Sequence, residues 1–156
     1  MIRQEKYHET KKHGLREFPF NIYPCSIPGD FQNVALHWHE EMEIISIKKG
    51  RGNVVVDRVV YEVEEGDVMA VFPGQLHAIY GFEDQRMDYE NIIFSLSLLM
   101  GAEEDLCTER FLFPLAREQV REPLFKRRGM EGYEAFAGCI PVSYTHLRAH
   151  ETSQDL

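Results

Sequence analysis

Four side chains stand out for the chemistry they could share: His37 and His39, one residue apart, Glu43 four residues on, and His77 beyond a Pro73-Gly74-Gln75 break. On a strand, residues two apart face the same side. His37, His39, Glu43, Ile45 and Ile47 would then share one face, provided no bulge intervenes, and Trp38, Met42 and Ile44 the other. A neighbouring strand carrying His77 completes three imidazoles and a carboxylate, a donor set suited to a divalent transition metal such as Fe, Mn, Ni or Zn. The same groups would equally serve as a polar patch that holds the hydroxyls of a small ligand or hydrogen-bonds internally. On either reading His37, His39, Glu43 and His77 form the expected pocket, and they are also the candidate metal ligands.

Reaction chemistry finds less support. Adjacent Glu40 and Glu41 should point apart on a strand, unlike the paired carboxylates of a glycosidase. The sequence carries no phosphate loop, G-x-S-x-G elbow or Cys/His nucleophile pair, so no catalytic residue is assigned and no enzyme is expected. Trp38 is expected to pack on the face opposite the histidines, and Tyr23 and Tyr89 to be core residues with satisfied hydroxyls. Cys107 is expected to be a small buried hydrophobe.

The elements that must position these residues are short strands broken by Gly and Pro. An edge strand is expected between Phe18 and Pro24, a turn at Pro28-Gly29-Asp30, then strands over 34–39 and 41–48. Gly50-Arg51-Gly52 reads as a hairpin turn, Asp57-Arg58 as another between 53–56 and 59–63, and Glu65-Gly66-Asp67 as a third. Strands at 68–72, 76–80 and 87–94 complete an all-β sandwich or barrel over residues 18–95. Residues 1–17 read as an arm, loose or irregularly helical. From 96 to 117 the text turns helical, with Pro114 as a break, and 121–129 reads as a basic connector. Tyr133, Phe136, Ala137 and Ile140 then form an amphipathic stripe that begins a further helix and implies partners elsewhere.

Composition sets the outer limits. One domain fits in 156 residues, and 44% hydrophobic residues against 28% charged support a packed core over disorder. Seventeen basic against 26 acidic residues, a net charge of -9, disfavour phosphate backbones. Lys11-Lys12, Lys48-Lys49-Gly50-Arg51 and Lys126-Arg127-Arg128 lack interleaved aromatics and read as solvated turns. No apolar run approaches the roughly 20 residues that span a bilayer, so no membrane partner and a cytoplasmic location are expected. Cys25, Cys107 and Cys139 are an odd set without C-x-x-C spacing, in keeping with reduced thiols.

Residues 141–156 read differently from the rest. The stretch VSYTHLRAHET at 142–152 back-translates in one open frame to a string that resembles the transposase-type adapter of short-read sequencing libraries. The tail is therefore expected to be adapter-derived, its His146 and His150 are not recruited as ligands, and the gene is expected to continue. Without Arg148, Glu151 and Asp155 there remain 16 basic and 24 acidic residues, a charge of -8.

The spacing H-x-H, three residues, E, six residues, G at His37, His39, Glu43 and Gly50 resembles the first cupin motif, and Gly66, Pro73 and His77 resemble part of the second. Gly74 directly follows the proline and no Asn stands four residues after His77, a departure from the cupin enzymes. The form His37-Trp38-His39-Glu40-Glu41-Met42-Glu43-Ile44 with Gly66-Asp67 to Pro73-Gly74-Gln75-Leu76-His77 resembles the N-terminal sensor domain of AraC-type transcription regulators. That resemblance spans about residues 18–140. It implies a mainly β fold, the cupin double-stranded β-helix or jelly-roll barrel followed by short α-helices. It further implies a small-molecule effector, a saccharide or its derivative among the candidates, and an arm able to close over it. A homodimer is implied for the intact parent, with DNA read only by a C-terminal helix-turn-helix domain outside this chain and no cofactor required. Two other readings stand beside it: a small cupin metalloenzyme, an isomerase or dioxygenase, and a stand-alone cupin binding protein. Long-read sequencing of the source locus through the Ile140 codon is expected to replace 141–156 with helix-turn-helix coding text; a locus that encodes this tail and stops would overturn that expectation.

Overall fold

The computed structural model describes residues 5–11, 20–100, 105–117 and 120–140. The expected adapter-derived tail lies outside them, as do 1–4 and 12–17 of the expected arm. Among the described residues the strands are β1 (Phe20–Ile27), β2 (Asn33–His37), β3 (Met42–Val56), β4 (Val59–Glu64), β5 (Val68–Val71), β6 (His77–Gly81), β7 (Met87–Phe94) and β8 (Leu124–Lys126). Every pairing between these strands is antiparallel. One face of the barrel runs β1-β7-β3-β5-β8, and the other is built from β2, β6, the second half of β3 and β4. The chain is mainly β, with the jelly-roll barrel of the cupins.

Alternation along these strands explains the core. Cys25 and Ile27 of β1, Ile45, Ile47, Val54 and Val56 of β3, Val63 of β4, and Met69 and Val71 of β5 all turn inward. Ile79, Met87 and Tyr89 join them from β6 and β7. Branched side chains dominate because they fit the pleated surface between two sheets with little rotamer freedom to lose. The opposite parity faces outward, where Ile44 and Ile92 meet the helical residues packed outside the barrel.

β3 corrects one expectation and explains the architecture. Gly50-Arg51-Gly52 is not a hairpin turn; Met42–Val56 runs through it as one strand of 15 residues. Its first half pairs with β5 and β7, its second with β4 and β6. The register against β7 slips between Ile47 and Lys49, and Gly50 follows with φ +77°. A Cβ at Gly50 would stand 1.8 Å from the Arg86 carbonyl oxygen. Glycine here lets the strand bend from one sheet into the other while β7 passes at backbone contact. The Asp57-Arg58 turn is as expected, with both residues in the left-handed region, φ 46° and 73°, that a two-residue hairpin requires.

Other departures lie beyond the barrel. Residues 121–129 are more than a connector, because β8 within them pairs with β5. Arg127 is no solvated charge: its Nε and Nη2 donate to the buried Asp67 carboxylate at 3.0 and 2.8 Å. Pro114 does not end the helical stretch; it stands where the turn Thr108–Leu112 passes into the segment Phe113–Ala116. Cys107 is exposed. The stripe on helix 133–140 finds its cover within this chain, since Tyr133 and Ile140 pack with Phe20, Ile22, Val68 and Ile92. The Tyr133 hydroxyl donates to the Gly66 carbonyl at 2.7 Å.

Gly50 and Gly138 separate backbone constraint from propensity. Gly50→Ala is expected to lower stability by roughly 2–4 kcal/mol, through positive φ and the collision with Arg86. Gly138→Ala, on helix 133–140 with nothing among the described residues within 4 Å of its Cβ position, should raise stability. That gain should reach at most about 1 kcal/mol. Urea-unfolding midpoints of the two variants should therefore move in opposite directions.

Candidate functional site

The four singled-out residues converge, by a different path from the one their spacing suggests. His37 and His39 do not share a strand with Glu43. β2 ends at His37, its pairing with β6 slips between Val34 and His37, and residues 38–41 carry the chain over to β3. His37 faces His77 across the β2–β6 pair, while Glu43 sits on β3 opposite Val71 and Ile93. The two histidine-bearing segments are tied together by backbone. Gly74 N–H, in the turn before His77, donates to the His39 carbonyl at 2.8 Å. That turn is itself braced by Phe72 N–H donating to Gln75 Oε1 at 2.8 Å.

One ligating atom from each of His37, His39, Glu43 and His77 falls within 4.8 Å of the others. Glu43 Oε2 lies 3.0 Å from His39 Nε2 and 2.7 Å from His77 Nε2. All three remaining ring nitrogens face backbone carbonyls. Nδ1 of His37 lies 2.7 Å from the Ala35 oxygen, that of His39 3.1 Å from Glu41, and that of His77 2.8 Å from Gln75. A carbonyl only accepts, so each Nδ1 donates to it, while the Nε2 of His39 and of His77 points at the Glu43 carboxylate, which also only accepts. This is the outer support that orients imidazoles for a metal, and three nitrogens with one carboxylate oxygen suit a first-row divalent ion. The donor set therefore fits the metal that the sequence allowed.

Burial makes the charge balance strict. Glu43, His39 and His77 are each at most 2% exposed, whereas His37, at 18% of its side chain, marks the open side. Burial works to raise the Glu43 carboxyl, but the His77 charge and the two imidazole hydrogen bonds outweigh it and hold its pKa well below the usual carboxylate range. Burial likewise opposes a charged His39, yet Glu43 and Glu41 prevail and its pKa is raised. His37 goes the other way: burial and the nearby His77 lower it.

Several functional neighbours escaped the sequence. Glu9, from segment 5–11, places Oε2 3.7 Å from His37 Nε2, and Glu41 Oε2 stands 3.6 Å from His39 Nδ1. Beside them a cleft of about 360 Å³ is lined by Lys6, Tyr7, His8 and Glu9 of segment 5–11 and by Val34, Leu36 and His37 of β2. Sequence distance hides Glu9, while Glu41 stands within the motif itself. Trp38 is buried, as expected, with His8 stacked on it at 4.1 Å. Tyr89 is a core residue, but among the described residues its buried hydroxyl finds no oxygen or nitrogen partner and has only Cys25 beside it. Burial, with Cys25 beside it, pushes the pKa of that hydroxyl up. Among the described residues no helix is long and apolar enough to cross a membrane.

Comparison with known proteins places this geometry in a family. Residues 25–127, which include all four cluster residues, match the model of the AraC-like ligand binding domain. Over 70 residues the chain is 31% identical to an uncharacterized HTH-type transcriptional regulator, YdeC of Bacillus subtilis (strain 168). That match covers 44% of this chain and 24% of the regulator, so the chain spans about a quarter of the curated relative it matches. Among solved structures it is similar to a cupin 2 conserved barrel domain protein from Salinispora arenicola CNS-205. The identity is 26% and the TM-score 0.46, covering 52% of this chain and 67% of that one. A predicted oxalate decarboxylase from Thermotoga maritima aligns at 24% identity and TM-score 0.44, covering 47% and 64%. The barrel, the motif residues on it and the match across 103 consecutive positions agree: this chain belongs to the AraC-like ligand binding domain family.

Proposed function

We propose that this chain is the effector-sensing part of an AraC-type transcription regulator. A small polar molecule binds at the His37, His39, Glu43 and His77 cluster, and in the intact parent its binding shifts the population of DNA-engaging states. The observation that carries the reading is that the buried cluster has one open side, at His37, and that this side faces a cleft of ligand size. A divalent metal held by the four residues would supply a Lewis-acidic anchor for an oxygen of the effector. The protein's own residues fix the imidazoles from behind and leave the His37 side accessible. Saccharides and their derivatives are the effector class to try first.

In this reading DNA is read elsewhere in the parent, in a helix-turn-helix domain, and the acidic barrel stays off phosphate. Exposed Leu99, Leu106 and Phe111, on the segments after the barrel, support an association surface for a homodimer of that parent. A cytoplasmic location accords with such a role. The second reading, a small cupin metalloenzyme of isomerase or dioxygenase type, is favoured by the complete set of three imidazoles and a carboxylate.

Two measurements decide between them. Calorimetric titration with Zn²⁺ is expected to give one site per chain, lost by more than about 100-fold in affinity in His39→Ala, beyond what an outer-shell change costs. A thermal-shift panel of sugars, sugar acids and other polar metabolites should yield a stabilising ligand that the chain does not convert. Turnover of that ligand would favour the enzyme, and specific DNA binding by this chain at physiological salt would overturn the sensor reading.

A further inference from the structure

Segment 5–11 is joined to the histidine cluster at three successive residues. Trp38 N–H donates to the Tyr7 carbonyl at 3.0 Å and Glu9 N–H to the Trp38 carbonyl at 2.9 Å, forming a parallel bridge between His8 and Trp38. The His8 ring stacks on Trp38 at 4.1 Å with an interplanar angle of 20°, and its Nε2 reaches Glu40 at 3.0 Å. The neighbours of Trp38 in sequence are His37 and His39, so the arm is hydrogen-bonded to the residue between two of the candidate ligands. Glu9 follows, with Oε2 at 3.7 Å from His37 Nε2 on the open side of the cluster.

We propose that Glu9 is a fifth protein ligand, carried by the arm, and that metal binding and arm docking are one coupled event. This rests on the reading of the four-residue cluster as a metal centre. Three arguments support it. Two ligands of one ion, each about 2.1 Å from it, lie roughly 3–4 Å apart, and the Glu9–His37 separation already falls in that range. Three neutral imidazoles and the Glu43 carboxylate leave a divalent ion with one uncompensated positive charge in a buried site, which a second carboxylate cancels. The Glu9 side chain is 27% exposed, so it can turn toward the ion without disturbing the core, whereas Glu43 is locked.

The coupling has a built-in reporter, because Trp38 is the single tryptophan of the chain and the arm covers it. By linkage, whatever Zn²⁺ adds to arm docking the docked arm must add to Zn²⁺ affinity. The test titrates Zn²⁺ into the wild-type chain, Glu9→Gln, His8→Ala and His39→Ala, following calorimetry and acrylamide quenching of Trp38. Binding that survives in His39→Ala is subtracted. Zn²⁺ should shield Trp38 in the wild type. Glu9→Gln should bind Zn²⁺ about tenfold more weakly, without added shielding. His8→Ala, which removes the stacking and leaves the cluster intact, should also weaken Zn²⁺ binding. Equal affinity and equal shielding in wild type and Glu9→Gln would overturn the role of Glu9 while leaving the four-residue centre standing. Absence of Zn²⁺ binding by the wild type would overturn both.

Discussion

A carboxylate sealed inside a barrel sets the terms for everything around it. Glu43 is 2% exposed and stays charged only because two imidazoles reach it at 3.0 and 2.7 Å. An unpaired charge at that depth would cost several kcal/mol, of order what holds a small domain together. The positions of His39 and His77 are therefore not free to drift. Their other ring nitrogens are held by backbone carbonyls, and the two segments that supply those carbonyls are joined by Gly74 N–H to the His39 carbonyl. The site is stiff because its charge must be satisfied, and that stiffness presents His37 at a defined place on the open side.

The scaffold behind Glu43 is built with similar economy. β3 contributes Glu43 from the half that pairs with β5 and β7 and core valines from the half that pairs with β4 and β6. β5, which lies against Glu43 through Val71, is flanked on its other edge by β8. Arg127, immediately after β8, grips Asp67, immediately before β5, and Asp67 in turn accepts from Glu64 N–H at 2.8 Å. The segment that leads toward helix 133–140 is thus fastened to the strand beside the site.

Much of this was legible in the residues, for reasons that also mark where legibility ends. Period-two alternation assigned Glu43, Ile45 and Ile47 to one face and Met42 and Ile44 to the other, and the strand 87–94 was found with its bounds. The four cluster residues were found by type and spacing. Their route to one another was not, because the break after His37 depends on backbone pairing to β6. The unbroken β3 is hidden because Gly50-Arg51-Gly52 has turn composition, and the cause of its glycine is the approach of Arg86, 36 positions further along the chain. β8 was missed because three residues between charges carry no periodicity, and Glu9 because nothing local says which surface an arm will meet.

The pairing order also governs how such a chain comes into being. The β3–β4 hairpin closes across two residues and can form as soon as Glu64 has emerged from the ribosome. β1, made earlier, pairs among the described residues only with β7, and its first residue, Phe20, waits for Phe94. Contacts of that span close slowly, and an unpaired strand edge waiting for its partner is where nascent β proteins stick to one another. Pro24, at the middle of β1, withholds one backbone donor from that waiting edge, so the first strand synthesised is also a poorer template for a neighbouring copy than its apolar residues alone would make it.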